Sequence, residues 1–128
     1  MRGPRTLDVD EITDALLADC GLRRGSVTTQ SYRCTDVSAV LVPTRDVVTT
    51  SRAMNREDLV RILKGFRDSD DIPPVPIYHE PVSGRIYLLD GMHRWRASLA
   101  IGFPLFPAIL CTRTEAEECG ALRANLAQ

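Results

Sequence analysis

One stretch constrains this chain more than any other: Ile86-Tyr87-Leu88-Leu89 runs through Asp90-Gly91 directly into Met92-His93-Arg94-Trp95-Arg96-Ala97. A short aliphatic strand passes into a helical pattern with no loop between them. The first backbone N–H groups of such a helix have no partner within it. Gly91 lets another group approach the backbone closely and permits left-handed angles. Anions bind well at a place of this kind, and His93 and Arg94 add side-chain donors for the same oxygen atoms. Asp90, at the carboxyl end of the strand, is placed to hold a magnesium ion or to orient a hydroxyl nucleophile. A plainer reading stands beside this one, in which Asp90 caps the helix, Gly91 turns the chain, and His93 and Arg94 are solvated. Two cation-type residues at the positive end of a helix dipole are unfavourable without an anion nearby, which favours the anion site.

The elements around this turn are short. Residues 10–20 carry Ile12, Ala15, Leu16 and Leu17 on one helical stripe that ends at Gly21. Arg23 to Ser31 reads as a connector. Val37 to Val42 is a β-branched and aliphatic run stopped by Pro43, and Thr44 to Asn55 follows as a loop. Asn55 is an N-cap with Glu57 and Asp58 in the first turn of a helix ending near Arg67. Prolines around Val75-Pro76-Ile77-Tyr78 point to an edge strand. Pro81 to Gly84 forms a hairpin turn back to Ile86, Phe103 to Leu110 is a further strand, and a terminal helix starts at Thr112 or Thr114. The expected order is helix, strand, helix, strand, strand, helix, strand, helix, an α+β (α/β) mixture of a small mixed sheet flanked by helices.

At 128 residues the chain fits one globular unit. Three parts are expected within it: an N-terminal helix and connector over 1–34, a nucleotide-binding domain over 35–112, and a C-terminal helix over 113–128. Sixteen basic residues against 17 acidic ones leave a formal charge of −1, so charge does not favour a phosphate-backbone partner such as DNA. Cys20, Cys34, Cys111 and Cys119 form no C-x-x-C pair and have no histidine at finger spacing, which argues against a zinc site. No apolar run approaches the ~20 residues of a membrane span, and the acidic start does not read as a signal peptide. A cytoplasmic setting is the expectation.

Ile72-Pro73-Pro74-Val75-Pro76-Ile77, then Tyr87 to Ala97, then Gly102 and Pro107-Ala108-Ile109-Leu110, resemble the ParB/sulfiredoxin superfamily in order and spacing over roughly residues 38–110. Sulfiredoxins have a Gly-Cys-His-Arg turn that binds ATP phosphates. This chain keeps Gly91, His93 and Arg94 but carries Met92 at the cysteine's place, and a thioether cannot attack as a thiolate. Partition ParB proteins have a Gly-Glu-Arg-Arg turn used for CTP, followed by a sequence similar to Trp95-Arg96-Ala97. Met92 replaces the acidic residue there and His93 the first arginine, so centromere-type DNA binding is not the expectation. Free serine kinases resemble the chain at Asp90-Gly91-x-His93-Arg94. Their Pro-Thr-Glu loop carries the general base, but Arg45 stands at the glutamate's place in Pro43-Thr44-Arg45-Asp46, so the base is displaced to Asp46 or absent.

This resemblance implies an ATP- or ADP-dependent, magnesium-assisted phosphotransferase acting on a small-molecule hydroxyl, with Asp90, His93 and Asp46 as catalytic candidates. Gly91, Met92, His93 and Arg94 would hold the phosphates, joined from the opposite loop by Thr50, Ser51 and Arg52, and Asp90 would hold the metal. The alternatives are a non-catalytic ParB-like nucleotide- or DNA-binding module, or a ParB-like nuclease. Asp46 and Arg52 also read as solvated loop residues, His79 as a surface residue, and Trp95 as a core anchor. The N-terminal helix is open to three roles: covering a sheet edge, capping the nucleotide site, or forming a homodimer.

Overall fold

The computed structural model describes residues 14–28, 31–49 and 55–119. The elements are α1 (Asp14–Asp19), β1 (Val40–Pro43), β2 (Val47–Val48), α2 (Arg56–Asp68), β3 (Val75–His79), β4 (Ile86–Leu88), α3 (Met92–Ile101), β5 (Leu105–Leu110) and α4 (Arg113–Glu118). The strands form one mixed sheet in the order β1-β5-β3-β4-β2. β5 runs antiparallel to β1 and parallel to β3, while β4 runs antiparallel to β3 and parallel to β2.

Local chemistry sets the helix ends. The Asn55 side chain accepts from the N–H groups of Glu57 and Asp58 at 2.8 and 3.2 Å, and Ser69 closes α2 in the left-handed region. At α4, Thr112 and Glu115 complete a reciprocal capping box. Gly21 ends α1 at φ 76, as its position past the apolar stripe predicts. The parts of the predicted terminal helices over residues 10–13 and 120–126 lie outside the described residues.

Alternation along the strands separates two cores. Val75 and Ile77 of β3 and Leu88 of β4 face α2 and α3, meeting Leu59, Leu63, Phe66, Ala97 and Ile101 in the main core. Tyr78, Tyr87 and Leu89 point the other way and are covered by Ala116 of α4. The N-terminal segment shares the main core through Leu16, Leu17, Cys20, Leu22 and Tyr32. Tyr32, Phe66 and Phe103 pack in series as tilted ring pairs, with centroids 5.2 and 5.0 Å apart. The connector is tied down as well: Arg24 donates through Nη1 to the Ala100 carbonyl at 2.8 Å, putting a cation at the negative end of α3.

Three expectations are corrected. β3 is the central strand and not an edge, despite Pro76. The Pro76 carbonyl accepts from Leu89 N–H at 3.1 Å, just past the last β3–β4 pair, Ile77 with Leu88. Its missing N–H points the same way as that carbonyl, so the absent donor falls at the last rung of the ladder, opposite Leu89. The expected loop from Thr44 to Asn55 contains β2, which pairs Val47 and Val48 with Ile86 and Tyr87. A two-residue strand is too short to show a period of two. The first strand also begins later than expected, with Val37 fully exposed.

The β3–β4 hairpin is closed by a carboxylate. Glu80 accepts from the Ser83 hydroxyl and from the backbone N–H groups of Ser83 and Val82, and these bonds hold its pKa down to about 2. The folded value lies below the ordinary 4.5, so the carboxylate's contribution is complete above about pH 4.5 and is lost as pH falls through about 2. An NMR titration of the Glu80 carboxyl is expected to show a midpoint near 2, with the Val82 and Ser83 amides shifting in step. A midpoint at 4.5 would show that the turn is not closed this way.

Candidate functional site

α2 and α4 begin with a side-chain cap, and α3 does not. Gly91 stands at its N-cap position in the left-handed region, at φ 76 and ψ 32, and no side chain accepts from the first turn. The first-turn N–H groups of Met92, His93 and Arg94 therefore have no partner within the helix, whose first backbone bond runs from Trp95 N–H to Gly91 O at 3.0 Å. The first turn also contains no acidic residue.

This terminus opens into a cleft of about 410 Å³ lined by Asp90, Gly91, Met92, His93 and Arg94 on one side and by Asp58, Arg61 and Ile62 of α2 on the other. The expected turn residues are thus brought together, and α2 adds three residues that sequence reasoning left out. Arg61 lies on the exposed polar face of α2, and only the packing of α2 beside α3 turns that face toward the turn.

The side chains at the turn hold the surrounding chain. His93 Nε2 accepts from the Asn55 backbone N–H at 2.9 Å, so in the neutral ring the proton sits on Nδ1. Arg94 donates through Nη1 to the carbonyls of Pro73 and Pro74 at 3.0 and 2.9 Å. The Pro73 carbonyl also accepts from the Tyr32 hydroxyl at 2.6 Å, and burial pushes the pKa of that phenol up. The Arg94 guanidinium lies directly over Gly91: a Cβ there would stand 2.9 Å from Nη2 and 3.1 Å from Nε. Glycine is thus required twice, for its positive φ and for the space.

Trp95 anchors the turn from below. Its indole N–H donates to the Thr44 carbonyl at 2.8 Å in a buried contact, fixing α3 to the end of β1. Asp90 is exposed and lines the cleft, and Asp46 is exposed on the turn between β1 and β2 and is not among the residues that line the cleft. Thr50, Ser51 and Arg52 lie outside the described residues. Both flanks of that segment meet the site: Asn55 is held by His93, and Thr49 Oγ1 lies 3.7 Å from Met92 Sδ. No group of three or more metal-ligating side chains gathers among the described residues, and no helix among them is long and apolar enough to cross a membrane.

The chain is similar to the C-terminally truncated chromosome-partitioning protein ParB from Caulobacter crescentus complexed with CTP-γ-S, at TM-score 0.50 and 20% identity over 70% of this chain and 53% of that one. The fold is ParB-like. The same ParB complexed to the centromeric parS site also matches, at TM-score 0.46 and 20% identity, over 63% of this chain and 44% of the other. The chain spans about half the length of these ParB structures. No family model and no curated protein sequence matches it.

Proposed function

We propose that this chain is a ParB-like nucleotide-binding module that seats phosphate groups at the N-terminus of α3. The observation that carries the reading is the uncapped start of this helix at Gly91, open to a cleft that also presents Arg61 and Arg94. Converging N–H groups, the positive end of a helix dipole and two guanidinium groups form a receptor for an anion of several oxygens. A fold shared with a protein crystallised with CTP-γ-S supports nucleotide as the source of that anion. On arrival, phosphate oxygens would compete with the Pro73 and Pro74 carbonyls for Arg94. From the flanking segment, Thr50, Ser51 and Arg52 would add hydroxyl and guanidinium donors. Magnesium fits this site as an ion carried on the phosphates and held by the Asp90 carboxylate, since it commonly takes one or two protein carboxylates and keeps its waters.

Titration calorimetry with nucleoside triphosphates and inorganic triphosphate tests the reading. His93→Ala and Arg94→Ala are each expected to weaken binding by about tenfold or more, the range of a charge-assisted hydrogen bond. Circular dichroism would verify that both variants fold. Unchanged affinity in both would remove the site.

A phosphotransferase acting on a small-molecule hydroxyl is the second reading, and the position of Asp90 favours it. This carboxylate stands beside Gly91 and lines the same cleft, where it could accept the proton of an acceptor hydroxyl. Asp90 takes precedence over Asp46 here, because Asp46 does not line the cleft. Transfer of labelled phosphate to hydroxyl metabolites, abolished in Asp90→Asn while nucleotide still binds, would establish this chemistry. Binding or slow hydrolysis with no acceptor labelled would leave the module non-catalytic.

A further inference from the structure

The two carbonyls that hold Arg94 belong to prolines, which have no backbone N–H of their own. Their part of the strap between α2 and β3 is fixed through other groups, and the N-terminal segment supplies several of them. Arg33 and Asp71 form an isolated parallel bridge, and Ile72 N–H donates to the Arg33 carbonyl at 2.8 Å. The Asp71 carboxylate accepts from Thr35 N–H at 3.1 Å and from the Thr35 hydroxyl at 3.0 Å. One tie goes further. The Tyr32 hydroxyl donates at 2.6 Å to the same Pro73 oxygen that accepts from Arg94.

A carbonyl oxygen has two lone pairs, and here they serve two donors, the phenol and Arg94 Nη1. The phenol is the better fixed of the two. Its residue is 4% exposed, and its ring packs against Phe66. Burial raises its pKa, so it stays protonated and keeps donating. Arg94 is half-buried on a long side chain. Its Nη1 rests on the Pro73 and Pro74 carbonyls, while Nη2 and Nε lie over Gly91, which lines the cleft. The anchored edge of the guanidinium therefore sets where its other N–H groups point.

We infer that Tyr32 is a positioning residue for anion binding: its hydroxyl fixes the Pro73 carbonyl, and that carbonyl aims the free edge of the Arg94 guanidinium at the cleft. This rests on the reading of the cleft as a phosphate seat. Two effects act in the same direction. Before an anion arrives, the fixed carbonyl restricts Arg94, so less side-chain freedom is lost on binding. When phosphate oxygens draw on Nη1, the phenol remains as a donor to the Pro73 oxygen, which keeps a partner. Tyr32 is not among the residues that line the cleft, so the N-terminal segment acts on the seat through this one hydroxyl.

A double-mutant cycle on the full chain, read by calorimetric titration with inorganic triphosphate, tests the inference. Tyr32→Phe removes the hydroxyl and keeps the ring against Phe66, and thermal unfolding followed by circular dichroism verifies the fold. Its affinity for triphosphate is expected to fall about three- to tenfold. In an Arg94→Ala background the same substitution should change affinity by less than about twofold, because the side chain it positions is gone. Thr35→Val cuts a neighbouring tie without touching the Pro73 carbonyl, and should bind triphosphate within about twofold of the unaltered chain. Unchanged affinity in Tyr32→Phe, an equal loss with and without Arg94, or an equal loss in Thr35→Val would overturn the inference. In each of those cases, weakened binding in Arg94→Ala alone would leave the phosphate seat standing. If the unaltered chain binds no triphosphate, the seat falls and the inference with it.

Discussion

Gly91→Ala is expected to lower the stability of the fold and nucleotide affinity together. At φ 76 an L-residue costs about 1–2 kcal/mol relative to glycine. The new methyl would also stand 2.9 Å from Arg94 Nη2 and drive the guanidinium away from the Pro73 and Pro74 carbonyls. That second effect removes charge-assisted bonds worth about 1.5–3 kcal/mol when well formed, discounted here because Arg94 is partly exposed. A total loss of about 2 kcal/mol is expected in chemical denaturation. Affinity for triphosphate should fall at least tenfold, because the same methyl covers the N–H groups that receive the anion. Full stability with full binding in Gly91→Ala would contradict both the dihedral and the close approach.

Phe66→Ala is expected to be the most destabilising single truncation. Phe66 is fully buried near the C-terminal end of α2, between Tyr32 of the N-terminal segment and Phe103 just before β5. Its removal leaves a cavity where three parts of the chain meet and costs about 3–5 kcal/mol. Set against a typical total of 5–15 kcal/mol, that is enough to unfold a marginal domain. Thermal unfolding followed by circular dichroism measures it, and Phe66→Leu, which retains most of the volume, should recover the larger part. A loss below about 1 kcal/mol would mean that the N-terminal segment does not share this core.

Much of the site was legible because its signals are local. Asp90-Gly91 between an aliphatic strand and a helical pattern places a helix start wherever the rest of the chain goes, and the resemblance marked the same residues. Asn55 was readable as a cap for the same reason, since a cap bonds only to its own first turn, whereas the structure had to choose Thr112 over Thr114. β2 was not readable, because Val47 and Val48 are a strand only by virtue of Ile86 and Tyr87 beside them. Nor was the central place of β3: its prolines announce missing donors, but where those gaps fall depends on where the neighbouring strand stops.

The strand-to-helix turn with its glycine and the cap of α2 were determined by sequence alone, because each follows from backbone chemistry within a few residues. Tertiary structure decided what the turn faces. It brought Arg61 and Asp58 of α2 to the cleft, left Asp46 outside it, and set His93 against Asn55 and Arg94 against Pro73 and Pro74. Those contacts join residues about 20 to 40 positions apart in the chain. Only the docking of α2 and α3 on one face of the sheet brings them within hydrogen-bond range, and no local pattern encodes that distance.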